Sequence, residues 1–126
     1  MEPNQPFSIL LVEDDDGANE VISSMLTMFF PYARIDCAGD GRTALDLFRR
    51  SRYDIVITDI NMPGMDGVEL LGIISGLNPD VRVIVITAYS DSSYLKRLSA
   101  SGLAIELIPK PIDFGILSTL IRRCIA

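Results

Sequence analysis

Five short apolar runs punctuate the chain, each followed by a stretch whose apolar residues recur every three or four positions. The runs lie at residues 7–12, 34–38, 54–58, 81–87 and 105–108. Short, largely β-branched runs bounded by turn residues are the pattern of strands buried on both faces. The run at 34–38 is more polar than the others, which predicts an edge strand.

The helical stripes between the runs are Val21, Ile22, Met25, Leu26 and Phe29, ended by Pro31; then Ala44, Leu45 and Phe48; then Val68, Leu70, Leu71, Ile74 and Leu77. A weaker stripe of Tyr94, Leu95 and Leu98 predicts a helix over 91–99, and Leu117, Leu120, Ile121 and Cys124 mark a final one. Asp16 and Asp66 stand where N-caps are needed. Arg49, Arg50 and Arg52 crowd the carboxyl end of the second helix, where cations suit its dipole.

Strand followed by helix, five times over, predicts an α/β fold: a doubly wound parallel sheet with helices on both faces and right-handed crossovers. Such a sheet puts every strand's carboxyl end on one edge, the edge where open α/β sheets bind ligands. Glu13 and Asp14, Asp59, Thr87 and Lys110 all follow or end predicted strands, so they converge there from distant parts of the chain. Residues 1–6, polar and holding two prolines, read as a loose lead-in, and 7–126 as one domain.

Composition narrows the chemistry. With 126 residues, 48% of them hydrophobic, the chain is long enough for a core. A net charge of −6 gains nothing from phosphate backbones, which argues against nucleic-acid binding. No apolar run has the length of a membrane span, and no secretory leader precedes the first strand, so the expected compartment is the cytoplasm. Cys37 and Cys124 lack metal-ligand spacing and are expected to be buried free thiols. The absence of histidine removes Ser-His-Asp and Cys-His nucleophiles and histidine-bearing zinc sites.

What remains is carboxylates, a hydroxyl and a lysine. Glu13-Asp14-Asp15-Asp16 is a run of four acids, of which capping explains one or two; the others repel unless a cation sits among them. Magnesium takes oxygen ligands and is commonly held by one or two carboxylates together with a phosphate. An aspartate can attack phosphorus to give an aspartyl phosphate, with the metal, a lysine and a hydroxyl spreading the charge.

Four motifs in this order carry a resemblance: Leu11-Val12-Glu13-Asp14, Asp59-Ile60-Asn61-Met62-Pro63-Gly64-Met65-Asp66-Gly67, Thr87-Ala88 and Lys110-Pro111. Over nearly its whole length the chain resembles the receiver domain of two-component response regulators. The resemblance implies the flavodoxin-like strand order 2-1-3-4-5, for which a member of that family is a standard example. It makes Asp59 the phosphoacceptor, and Glu13, Asp14, Asp59 and the backbone carbonyl of Asn61 the ligands of Mg²⁺. Thr87 becomes the hydroxyl that moves toward the phosphoryl group, Ala88 its small neighbour and phosphoryl-oxygen contact, and Lys110 the ion-pair partner, with a cis Lys110-Pro111 bond.

The implied donor is a sensor histidine kinase or phosphotransfer protein, with small acyl phosphates as substitutes and a carboxyl-terminal output domain as a further partner. On this reading the chain is a switch that phosphorylates and dephosphorylates itself, not an enzyme. Two alternatives stay open: a Mg²⁺-dependent aspartyl-phosphate phosphatase of the haloacid dehalogenase type, and a receiver that only binds. The first is weakened by Asn61, which stands where such enzymes carry a second aspartate. Two departures from the receiver pattern concern the output: Leu107 stands where the family usually has an aromatic residue, and Pro109 removes a backbone donor just before Lys110.

Overall fold

The structure is a computed structural model and describes residues 6–88, 92–98 and 102–126. Five strands, β1 (Phe7–Val12), β2 (Ala33–Ala38), β3 (Ile55–Asp59), β4 (Arg82–Thr87) and β5 (Ala104–Pro109), alternate with five helices. These are α1 (Asp16–Phe29), α2 (Gly41–Arg50), α3 (Gly67–Leu77), α4 (Ser92–Leu98) and α5 (Phe114–Ile125). The strands form one sheet in the order β2-β1-β3-β4-β5, all pairings parallel.

Alternation along the strands sorts the core into two layers. Leu10, Val12, Val56, Val83 and Val85 point to one side, where α2 and α3 cover them with Ala44, Leu45, Phe48, Leu70, Leu71 and Ile74. Ile9, Leu11, Ile55, Ile57, Ile84 and Ile86 point to the other, under Ile22 and Leu26 of α1 and Leu117, Leu120 and Ile121 of α5. A side-chain period of two is what turns a continuously apolar strand into two cores.

Aspartates open four of the helices. Asp15, Asp40, Asp66 and Asp113 accept the backbone N–H of Ala18, Thr43, Glu69 and Ile116 at 2.8, 2.8, 2.9 and 3.0 Å. Each such cap stabilises its helix by about 0.5–2 kcal/mol.

Several expectations need correction. Asp15, not Asp16, caps α1: the cap must have extended backbone angles, which Asp15 has at φ −82° and ψ 116°, whereas Asp16 is already helical. In α1 only Ile22 and Leu26 are buried, and Val21 and Phe29 are exposed, because the stripe is wider than the strip of sheet it covers. Cys37 is exposed and Cys124 half-buried; on edge strand β2 the alternation turns Cys37 outward and Ala38 inward. Strand β3 starts after Asp54, whose carboxylate instead accepts the Ser8 N–H at 2.8 Å, and it includes Asp59. Strand β4 begins at Arg82, and β5 runs one residue further at each end than 105–108.

The weakest predicted helix is present as α4, within 91–99. Leu98 is buried and Tyr94 packs half-buried against the core; the side chain of Leu95 and the residues at 89–91 and 99 lie outside the described part. No helix among the described residues is long and apolar enough to cross a membrane.

Candidate functional site at the carboxyl edge of the sheet

The parallel sheet delivers the expected residues to one edge. Glu13 follows β1, its N–H donating to the Ala38 carbonyl at 3.0 Å, and Asp59 is the last residue of β3. Both are buried, Glu13 at 4% and Asp59 at 2% exposure, whereas Asp14 faces water. Carboxylate oxygens of Glu13, Asp14 and Asp59 all lie within 4.8 Å of one another. Lys110, carried in by β5, places Nζ 2.6 Å from Asp59 Oδ2. The N–H of Asn61 approaches Asp59 Oδ1 at 3.4 Å from the loop side.

Crowding shows in the acid–base properties. Burial, with the hydrogen bond and charge of neighbouring Asp59, pushes the Glu13 carboxyl up to about 7. The Asp15 N–H, 3.2 Å from Glu13 Oε1, and the Lys110 charge pull the other way without cancelling this. Two buried carboxylates and a third beside them, against one lysine, form an oxygen cage with more acidic than basic groups. That donor set fits a hard divalent cation such as Mg²⁺, which takes carboxylate, carbonyl and water oxygens.

Thr87 ends β4, buried, one position past Ile86, the β4 partner of Asp59. Its carbonyl accepts the Lys110 N–H at 2.8 Å, so the backbone donor missing at Pro109 is supplied one residue later. The Lys110-Pro111 bond is cis. Ala88 follows, half-buried. Leu107 lies half-exposed, at 49%, opposite Val85 on β5. Beside Lys110 a groove of about 460 Å³ opens between Val21 of α1 and Ile112 and Phe114 at the start of α5.

Two supporting residues had no role assigned from the sequence. The Asn19 amide Nδ2 donates to the carbonyls of Glu13 at 3.1 Å and Ala38 at 3.3 Å, fixing the backbone that aims Glu13. Its only sequence signal was a polar residue one turn into an apolar helix. Gly67 is the other: its N–H donates to the Ile60 carbonyl at 2.8 Å, and α3 starts hard against the loop that leaves Asp59. In that loop Gly64 takes φ +78°, which side chains other than glycine adopt with strain.

A five-stranded parallel sheet of order 2-1-3-4-5, with helices on both faces and an acidic cluster at its carboxyl edge, is the flavodoxin-like receiver architecture with its Mg²⁺ pocket. Residues 9–122 match the response regulator receiver domain family, and the chain belongs to that family.

Among its relatives, transcriptional regulatory protein ZraR of Klebsiella oxytoca is 35% identical over 117 residues, which are 93% of this chain and 26% of that protein. Sporulation initiation phosphotransferase F of Bacillus subtilis (strain 168) is 30% identical over 119 residues, 91% of this chain and 90% of it. A receiver domain from Clostridium thermocellum superposes with a TM-score of 0.86 at 25% identity, covering 94% of both chains. The chain spans about a quarter of the length of ZraR and of several other curated relatives that it matches.

Receiver domains of this family accept a phosphoryl group and work as switches that phosphorylate and dephosphorylate themselves. The family match sets aside the phosphatase alternative.

Proposed function

We propose that Asp59 is the phosphoacceptor and that residues 7–126 form the receiver domain, with 1–6 as its lead-in. The observation that carries this is the pairing of a carboxylate only 2% exposed with Lys110 Nζ at 2.6 Å, beside Glu13 and Asp14. A carboxylate oxygen of Asp59 attacks phosphorus of the donor's phosphohistidine. The new O–P bond forms as the P–N bond breaks, and the imidazole nitrogen leaves with the electron pair.

Glu13, Asp14 and Asp59 would hold Mg²⁺ together with the backbone carbonyl of Asn61. Bound there, the ion supplies the positive charge that three carboxylates and an incoming phosphoryl group need. Lys110 neutralises a phosphoryl oxygen by exchanging its bond to Asp59 for one to the new group. Thr87 donates its hydroxyl to another oxygen, and Ala88, small enough to leave room, offers its backbone N–H. The Lys110 N–H bond to the Thr87 carbonyl ties these two elements together, which supports their acting as a pair.

The donor on this reading is a sensor histidine kinase or phosphotransfer protein. ZraR is named as a transcriptional regulatory protein, and this chain matches about a quarter of it. That supports a receiver whose phosphorylation controls a carboxyl-terminal output domain. The test is to treat the chain with acetyl phosphate and Mg²⁺ and measure its intact mass. One added phosphoryl group, lost with hydroxylamine and absent in Asp59→Asn, is expected; modification that persists in Asp59→Asn contradicts the assignment.

A further inference from the structure

Helix α3 carries a second apolar stripe. Its inner face, Leu70, Leu71 and Ile74, packs on the sheet. On its outer face Glu69, Gly72, Ile73, Gly76 and Leu77 follow at spacings of three and four, all exposed, Ile73 at 37% and Leu77 at 48%. Glu69 is the sole charge in its eleven residues. A surface helix ordinarily turns charge to water, and a helix apolar on both faces is one with something packed on each. A Cβ added at Gly72 or Gly76 would meet nothing within 4 Å, so packing inside the chain does not require either glycine. Each glycine lowers helix stability relative to alanine. What they do provide is a shallow floor beside Ile73 and Leu77 on which a second helix can approach closely.

This stripe runs into a cationic groove. Leu77 and Asn78 line a cavity of about 460 Å³ together with Arg49, Arg50 and Arg52. The three arginines are exposed, and among the described residues none of their side chains has an ion-pair partner. The dipole of α2 accounts for cations at Arg49 and Arg50 in its last turn, but Arg52 lies beyond the helix. In a chain of net charge −6, three unpaired arginines within four positions make a local field of opposite sign to the rest.

We propose that the outer face of α3 and this arginine groove form a docking site for an acidic amphipathic helix. Its apolar residues cover Ile73 and Leu77, and carboxylates of its first turn meet Arg49, Arg50 and Arg52. Direction follows from the dipole: acids belong at a helix's amino end, and the arginines lie at the carboxyl end of α3, so the partner runs antiparallel to α3. The groove sits where α2 leads into the start of β3, at the sheet edge opposite Asp59, so the proposal stands apart from the phosphoacceptor assignment.

The probe is a labelled synthetic helical peptide with glutamates in its first turn and leucines at spacings of three and four, titrated with the full chain by fluorescence anisotropy. Saturable, salt-sensitive binding is expected, weakened about tenfold or more both by Arg50→Glu with Arg52→Glu and by Ile73→Ser with Leu77→Ser. The arginine variant should keep the wild-type melting temperature, and both variants should stay folded and bind beryllofluoride, since none of the four side chains belongs to the buried core or the acidic cluster. Equal binding of a peptide with lysines for glutamates, or wild-type affinity in either variant, overturns the proposal. Sedimentation of the chain alone and co-pelleting with phosphatidylglycerol vesicles complete the test. Self-association lost in the Ile73/Leu77 variant would give the face to a second copy, and vesicle binding lost in the arginine variant without peptide binding would give it to a lipid surface. Either result also overturns the proposal.

Discussion

A Cβ on Gly67 would stand 2.7 Å from the carbonyl oxygen of Asp59 and 2.8 Å from the Cα of Ile60. The first residue of α3 is thus pressed against the backbone that holds the buried carboxylate, with no flexible side chain between them to give way. Gly67→Ala must push the Asp59 loop or α3 aside. Overpacking of this kind costs about 1–3 kcal/mol. Urea melts should show that loss together with weaker phosphorylation by acetyl phosphate. Gly72→Ala, in open space on the same helix, should instead raise stability by about 0.5–1 kcal/mol.

Crowding of Glu13, Asp14 and Asp59 predicts that Mg²⁺ stabilises the fold, by about 2.7 kcal/mol at a hundredfold excess over its dissociation constant. Asp59→Asn removes one charge from a cluster that a single lysine does not balance. The metal-free variant should therefore melt higher than the metal-free wild type and gain less from Mg²⁺. Melting curves indifferent to both the ion and the substitution would mean that the three carboxylates do not act as one site.

Much of this site was legible in the sequence because strand ends of a parallel α/β sheet must share an edge. Glu13, Asp14, Asp59, Thr87 and Lys110 could be placed by counting strands, with no knowledge of helix packing. Helix faces were less legible. Val21, Phe29 and Leu77 continue their helices' apolar periodicity yet lie in the open, since periodicity reports a stripe and not its width of contact. The cap of α1 was misplaced by one residue because four adjacent acids offer the same side chain, and only backbone angles choose among them. Asn19 was missed, and Gly67 stood in a quoted motif without a role, because a side chain-to-carbonyl bond and a close backbone approach leave no periodic trace.

Tyr53 offers a test far from the site. Its buried hydroxyl donates to Asp36 Oδ2 at 2.6 Å, and burial, then that bond and the Asp36 charge, push its pKa up to about 12. The folded state therefore keeps a proton that the unfolded chain releases near pH 10. The stability this confers is fully present below about pH 10 and is lost as pH rises toward 12. Tyr53→Phe should cost about 1–2 kcal/mol at neutral pH and flatten the alkaline limb of a stability-versus-pH curve.

Leu107 bears on how the signal leaves the site. Half-exposed on β5, it has no ring to bury and no hydroxyl to expose. Among its described side chains helix α4 instead has Leu98 buried and Tyr94 half-buried as apolar anchors, and lightly anchored elements move at low cost. Beryllofluoride should change hydrogen-exchange protection most in residues 88–99, and Leu107→Ala should leave that change largely intact. Its loss in Leu107→Ala, with beryllofluoride still bound, would show that the leucine acts as the family's aromatic does.

The most direct test of the central claim is chemical. Borohydride reduces an aspartyl phosphate to homoserine, so the chain, phosphorylated with Mg²⁺ present and then reduced, can be digested and sequenced by mass spectrometry. Homoserine at position 59 and nowhere else is the predicted result. Homoserine at Asp14 or another aspartate, or hydroxynorvaline at Glu13 or another glutamate, with position 59 still aspartate, would contradict the account.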